Sequence, residues 1–155
     1  MLFRSISANG RYVAFHSYAS NLVPGDGNGQ PDVFVHDRKK GLTTRLSVNS
    51  AGVEGNGQSY GPSISANGRY VAFRSYASNL VPGDGNEEPD VFVHDRKKGL
   101  TTRVSVDSAG FEGNGQSYDP SISANGRYVA FRSYASNLVP EDGNGQPDVF
   151  VHDRK

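Results

Sequence analysis

The chain contains no cysteine, which excludes disulfides and thiolate-ligated zinc. It has no charge of one sign to spare: 16 Lys+Arg balance 16 Asp+Glu, and no stretch forms a basic arm. Nucleic acid is therefore not an expected partner. No apolar run approaches the ~20 residues of a membrane span. The opening residues, MLFRSISANGRY, lack the apolar core of a secretory signal. Helical 3.6-residue periodicity is missing throughout, so helical repeats are excluded. No S-x-x-K occurs, and the one G-x-S-x-G, Gly57-Gln58-Ser59-Tyr60-Gly61, is not a nucleophile elbow, which needs a strand-to-helix turn that a chain without helical periodicity does not supply. What the chain does have is glycine, 19 in 155 residues, clustered with Asn and Asp between short β-rich runs. That composition predicts an all-β protein with many turns.

A repeat dominates the sequence. SISANGRYVAF begins at Ser5, Ser63 and Ser121, a period of 58 residues. Residues 5–62 and 63–120 differ at seven positions: His16/Arg74, Gly29/Glu87, Gln30/Glu88, Leu46/Val104, Asn49/Asp107, Val53/Phe111 and Gly61/Asp119. Residues 63–97 and 121–155 differ at three: Gly83/Glu141, Glu87/Gly145 and Glu88/Gln146. Such near-identity points to recent duplication or to consensus-like design.

Each unit reads as four short strands. In the second unit these are Ser63–Ser65, Tyr70–Ser75, Asp90–Asp95 and Leu100–Val106. Asn67-Gly68 between the first two predicts a type I′ hairpin, since both residues tolerate positive φ. Tyr70–Ser75 is apolar on both faces, as in a strand covered on both sides. In Leu100–Val106, Thr102, Val104 and Val106 alternate with Thr101, Arg103 and Ser105, which suits a half-exposed outer strand. Four antiparallel strands per unit, repeated, predict β-propeller blades. The expected units are 1–62, 63–120 and 121–155. The third stops at Lys155, before the segment matching Leu42–Val48, and so lacks its outer strand. Met1 to Arg4 lead straight into a first strand and do not restore it. The expected result is an open edge at Val149-Phe150-Val151 and either association with a second copy, giving about six blades, a permitted number, or a chain that is a fragment of a longer gene product.

The segments SANGRYVAFRS, SNLVPGDGN and PDVFVHDRKKGLTTRVSV resemble the TolB-type propeller repeat, a WD-repeat-like blade of bacterial proteins. The family's usual hairpin has Asp where this chain has Asn9, Asn67 and Asn125, which keeps the turn chemistry. The resemblance covers essentially the whole chain. It implies a protein-binding or scaffolding role, a bacterial periplasmic or extracellular setting, and no catalytic residue of its own. Some such propellers accompany serine peptidases, so an accessory propeller of a hydrolase stays open.

Three constellations are candidate sites. The long loop carries Asp26, Asn28 and Asp32, matched by Asp84, Asn86, Asp90 and by Asp142, Asn144, Asp148. Side-chain oxygens at this spacing suit calcium, which takes about six to eight oxygen ligands. The loop lacks the closing Glu of an EF-hand, and Asx-turns ordering a Gly-rich loop are the competing reading. His36-Asp37, His94-Asp95 and His152-Asp153 sit on adjacent strand residues, facing opposite ways, which suits strand-end hydrogen bonding better than catalysis. The aromatic set Tyr12, Phe15, Tyr18, Phe34 and Tyr60 is expected in the core between blades. The scattered Arg and Lys residues are expected on solvated faces. Identical blades also place identical residues apart from one another, which works against a catalytic constellation of unlike groups.

Overall fold

A computed structural model describes residues 4–155. Residues 1–3, most of the expected lead-in to the first strand, lie outside the described residues. Three antiparallel sheets stack in chain order. The first contains β1 (Arg4–Ile6), β2 (Tyr12–Ser17), β3 (Asp32–Asp37) and β4 (Leu42–Arg45). The second contains β5 (Ser59–Ile64), β6 (Tyr70–Ser75), β7 (Asp90–Asp95) and β8 (Leu100–Arg103). The third has three strands, β9 (Ser117–Ile122), β10 (Tyr128–Ser133) and β11 (Asp148–Asp153). No helix occurs among the described residues.

The sheets superimpose in register. Phe15 pairs with Phe34, Phe73 with Phe92, and Phe131 with Phe150. Each sheet is apolar on both faces because its two central strands alternate large side chains between them. Val71, Phe73, Ala77 and Leu80 face the preceding sheet, where they meet Ala14, Val33, Val35 and Leu46. Ala72, Val91, Val93 and Val104 face the following sheet and meet Val129, Phe131, Ala135 and Leu138. The core is thus two junctions of the same design.

Polar contacts repeat across both junctions. The amide of Ile64 donates to Ser5 Oγ and that of Ile122 to Ser63 Oγ, each at 3.1 Å. The amide of Ala8 donates to the Ala66 carbonyl at 3.0 Å, and that of Ala66 to the Ala124 carbonyl at 2.9 Å. The ring of Tyr12 lies under Arg96, 4.2 Å from guanidinium carbon to centroid, and Tyr70 lies under Arg154 at 4.6 Å.

Three sequence expectations need correction. The inner strand of the second sheet begins at Ser59 rather than Ser63, with a register shift between Tyr60 and Ser63. The outer strand ends at Arg103, and Val104 and Ser105 are both buried, so the alternation expected through Val106 breaks. The chain has left the ladder there, and Val106 makes only an isolated bridge to Glu112. The hairpin is not type I′. Gly68 has φ 72° but Asn67 is absent from the positive-φ residues. The Gly68 amide donates to the Ser65 carbonyl, and Asn67 Oδ1 accepts from Ser65 Oγ and the Arg69 amide. This is a type I turn closed by a left-handed glycine, with the Asn side chain satisfied locally.

Candidate functional site

The long loops bring the expected carboxylates together and add partners the spacing did not reveal. Asp26 and Asp32 meet Glu54, with one carboxylate oxygen from each within 4.8 Å of the others. Asp84, Asp90 and Glu112 do the same in the second repeat. An arginine stands among each trio. Arg103 Nη1 is 3.6 Å from Asp84 and 3.2 Å from Asp90, and donates to Glu112. Arg45 Nη1 is 3.7 Å from Asp26 and 3.5 Å from Asp32, and donates to Glu54. Ser47 and Ser105 donate to Asp32 and Asp90.

The asparagines present nitrogen, not oxygen, to this cluster. Asn86 Nδ2 donates to Asp90 at 3.3 Å and to the Gly113 carbonyl at 2.8 Å, while its Oδ1 accepts from the Glu88 amide. Asn28 repeats this with Asp32, Gly55 and Gln30. In the third sheet Asn144 Nδ2 reaches Asp148 at 3.0 Å, beside Asp142 in the same loop, and the sequence ends before counterparts of Arg45 and Glu54. Glu54, Glu112, Arg45 and Arg103 lie far along the chain from the loop, so local spacing gave no signal for them.

The histidine–aspartate pairs split between separate partners. His94 Nδ1 contacts Thr101 Oγ1 at 2.9 Å, and His36 Nδ1 contacts Thr43 Oγ1 at 3.0 Å. Asp95 takes a fork from Arg69 at 2.8 and 2.7 Å; Asp37–Arg11 and Asp153–Arg127 repeat it. These arginines were expected on solvated faces and instead tie each hairpin to the end of the third strand.

The two carboxylate settings titrate in opposite directions. The Arg69 fork and the Lys97 and Lys98 amides hold Asp95 down at about 2. Burial, with Asp90 and Glu112 nearby, pushes Asp84 up to about 6. An acid lowered on folding adds stability above its unfolded value of about 3.9 that is lost as pH falls toward the folded value. A raised acid does the reverse, losing its contribution as pH rises through about 4 to 6. The Asp84 contribution therefore grows as pH is lowered from 7 to 5, opposed in that window by His16, His94 and His152, whose burial disfavours the charged ring, and the Asp95 contribution is lost below about 4. Asp84→Asn should weaken the first contribution and Asp95→Asn the second, read by calorimetry across pH.

The aromatic expectation holds only in part. Phe34 is buried, but Tyr18 is 73% exposed. Tyr18 and Tyr60 share a hydroxyl contact of 3.2 Å on the rim. The tyrosines after β2, β6 and β10 turn outward because the strand ends one residue earlier, at Ser17, Ser75 and Ser133.

The outermost sheets carry unpaired copies of the junction. Val149 and Val151 are 77% and 67% exposed, whereas Val91 and Val93 at the same repeat positions are fully buried. At the other end Ile6 is 57% exposed against 7% for Ile64, and Leu22 is exposed where Leu80 is buried. Tyr128 is exposed where Tyr12 and Tyr70 are half-buried beneath the next sheet.

No family model matches the sequence, and no curated protein does. Solved structures match closely in shape. A putative TolB from Agrobacterium tumefaciens is 19% identical, with TM-score 0.56 over 97% of this chain and 50% of that one. TolB from Acinetobacter baumannii is 19% identical, with TM-score 0.54 over 97% and 29%. The β-propeller domain of the Trilobed protease from Pyrococcus furiosus is 13% identical, with TM-score 0.61 over 99% and 40%. The fold is that of β-propeller blades. The chain spans half or less of each of these proteins. Within the propeller blades, β1, β5 and β9 are the inner strands that neighbour one another across the junctions. The ends of β6 and β10 carry Arg74, Tyr76, Arg132 and Tyr134 to one rim, where they flank Tyr60 and Tyr118. No helix among the described residues is long and apolar enough to cross a membrane.

Proposed function

We propose that this chain is a non-catalytic β-propeller module, a structural scaffold and protein-interaction surface that completes its ring by self-association. The observation that carries this reading is the identity of the two end faces with the two halves of the interior junctions. The face of the third sheet, Ala130, Val149 and Val151, repeats Ala72, Val91 and Val93. The face of the first, Ile6, Val13, Phe15, Ala19 and Leu22, repeats Ile64, Val71, Phe73, Ala77 and Leu80. Two chains stacked head to tail give about six blades, within the usual four to eight. The closing junctions have no counterpart of Leu46 or Val104, so they bury less than the interior ones. A periplasmic or extracellular setting accompanies this reading through the likeness to TolB. Sedimentation velocity tests it: the mass should climb toward twice the 16.7 kDa chain mass with concentration. A single-chain mass at every concentration overturns it.

The likeness to a protease's propeller domain supports a second reading, an accessory propeller of a hydrolase. A G-x-S-x-G on a strand-to-helix turn, in a polypeptide continuous with this chain, would favour it; Gly57–Gly61 has that spacing, but Ser59 is buried at the start of β5. Calcium at Asp26, Asn28, Asp32 and their repeats is a third, supported by the grouped carboxylates. The guanidiniums of Arg45 and Arg103 compete for the same oxygens, so the expected melt is the same in chelator and in millimolar calcium. A rise of several degrees in calcium would instead place an ion there, since binding to the native state alone stabilises it by mass action.

A further inference from the structure

In a chain of near-identical repeats, the few differences carry information. Three of the seven between the first two units, Arg74, Glu88 and Asp119, line one hollow of about 620 Å³ on the rim between the second and third sheets. Their counterparts between the first and second sheets are His16, Gln30 and Gly61. The hollow also takes Arg132 and the rings of Tyr118 and Tyr134. Its volume lies in the range of about 300–1,000 Å³ usual for small-ligand sites.

The charged groups are held ready but unpaired. Arg74 lies between Tyr60 and Tyr118, its guanidinium carbon 5.2 Å from each ring centroid. Among the described residues no carboxylate comes within ion-pairing distance of Arg74 or Arg132; Arg132 donates to Tyr134 Oη at 2.8 Å. By contrast Arg69 and Arg127 are forked onto aspartates, and Arg103 sits among three carboxylates. Glu88 and Asp119 are likewise free of ion pairs. Asp119 holds φ 52° where Gly61 holds 61°, a left-handed conformation that a side chain tolerates at some cost. A charged residue has been placed where the backbone suits glycine.

We infer that this hollow binds a carboxylate-bearing saccharide. Each feature has a use in that ligand. A planar guanidinium held by aromatic faces matches a carboxylate with two parallel hydrogen bonds. Glu88 and Asp119 would repel a plain polyanion, but as acceptor-only groups they take hydrogen bonds from hydroxyls. The Tyr118 and Tyr134 rings, over which Arg74 and Arg132 lie, line the hollow and give it apolar surface for the C–H side of a pyranose, and Gln116 adds an amide. Neither a phosphate nor a neutral sugar uses all of these groups.

Titration calorimetry of the purified chain with trigalacturonic acid tests this, with maltotriose as the neutral control. One trisaccharide should bind per chain, at least tenfold tighter than maltotriose. R74H/E88Q/D119G rebuilds the hollow with residues the first repeat already holds at the same positions, and should weaken binding at least tenfold with an unchanged circular dichroism spectrum. H16R/Q30E/G61D should do the opposite and raise the stoichiometry from one to two. Absence of binding by the parent, equal binding of maltotriose, or an unaffected R74H/E88Q/D119G variant would each overturn the assignment.

Discussion

Replacing Gly68 by valine should break the junction between the first two sheets, while the same change at Gly10 should leave the chain folded. Both glycines close equivalent hairpins with positive φ, 72° and 68°. A β-branched residue there costs about 1–3 kcal/mol in either place. Their surroundings differ. A Cβ on Gly68 would stand 2.1 Å from Tyr12 Cδ2 of the preceding sheet, an impossible approach. On Gly10 the nearest atom is Arg38 Nη1 at 3.7 Å. To admit valine at Gly68 the Tyr12 ring must leave its place beneath Arg96, and overpacking of this kind adds about 1–3 kcal/mol. At roughly 2–4 °C per kcal/mol for a chain of this size, Gly68→Val should melt about 4–24 °C lower, and Gly10→Val about half as much. Gly126, 2.1 Å from Tyr70 by the same measure, should behave like Gly68. Equal melts for the Gly10 and Gly68 variants would mean that the tyrosine does not seat on the hairpin.

Val149→Glu with Val151→Glu should leave the single chain folded and abolish its association. Both side chains face solvent in the chain alone, so the change carries little cost there. In the stacked pair they would become as buried as Val91 and Val93. Burying unpaired carboxylates is strongly unfavourable, so the dissociation constant should rise at least about 100-fold, close to 3 kcal/mol. The same pair of changes at Val91 and Val93 should unfold the protein, because that junction lies inside the chain. Sedimentation and thermal melts of the two double variants separate the outcomes. A Val149/Val151 variant that associates like its parent would show that another surface joins the copies.

The strands of the central hairpins were legible because their two faces are both apolar and their ends are marked by Gly, Pro and Asp. Tyr70–Ser75 and Asp90–Asp95 fall where that pattern places them. The outer strand was misread past Arg103, since Val104 and Ser105 keep a period-2 pattern while the backbone has already left the ladder. The hairpin type was misread because Asn-Gly fits two turns. Only the local acceptor role of Asn67 Oδ1 selects between them, and that is a hydrogen bond, not a propensity. Arg45 and Arg103 were hidden for another reason. Each sits on an outer strand, where a cation ordinarily faces water, and becomes buried only because a loop carrying Glu54 or Glu112 folds over it. The rim hollow was hidden similarly. Arg74, Glu88 and Asp119 are 14 or more residues apart and meet only when two blades stack.

The end-to-end stacking of copies is most directly tested by covalent capture. Within the chain, the Ala8 amide bonds the Ala66 carbonyl, and the Ala66 amide bonds the Ala124 carbonyl. In a stacked pair, Ala124 of one copy therefore meets Ala8 of its neighbour. A backbone hydrogen bond brings two residues within about the reach of a disulfide, whose Cα atoms stand about 4.4–6.8 Å apart. The chain has no native cysteine to confuse the result. Ala8→Cys chains mixed with Ala124→Cys chains under mild oxidation should give a disulfide-linked species of twice the 16.7 kDa chain mass. Either variant alone should give little of it. Equal linkage in the separate and mixed samples, or none in the mixture, would contradict head-to-tail closure of the ring.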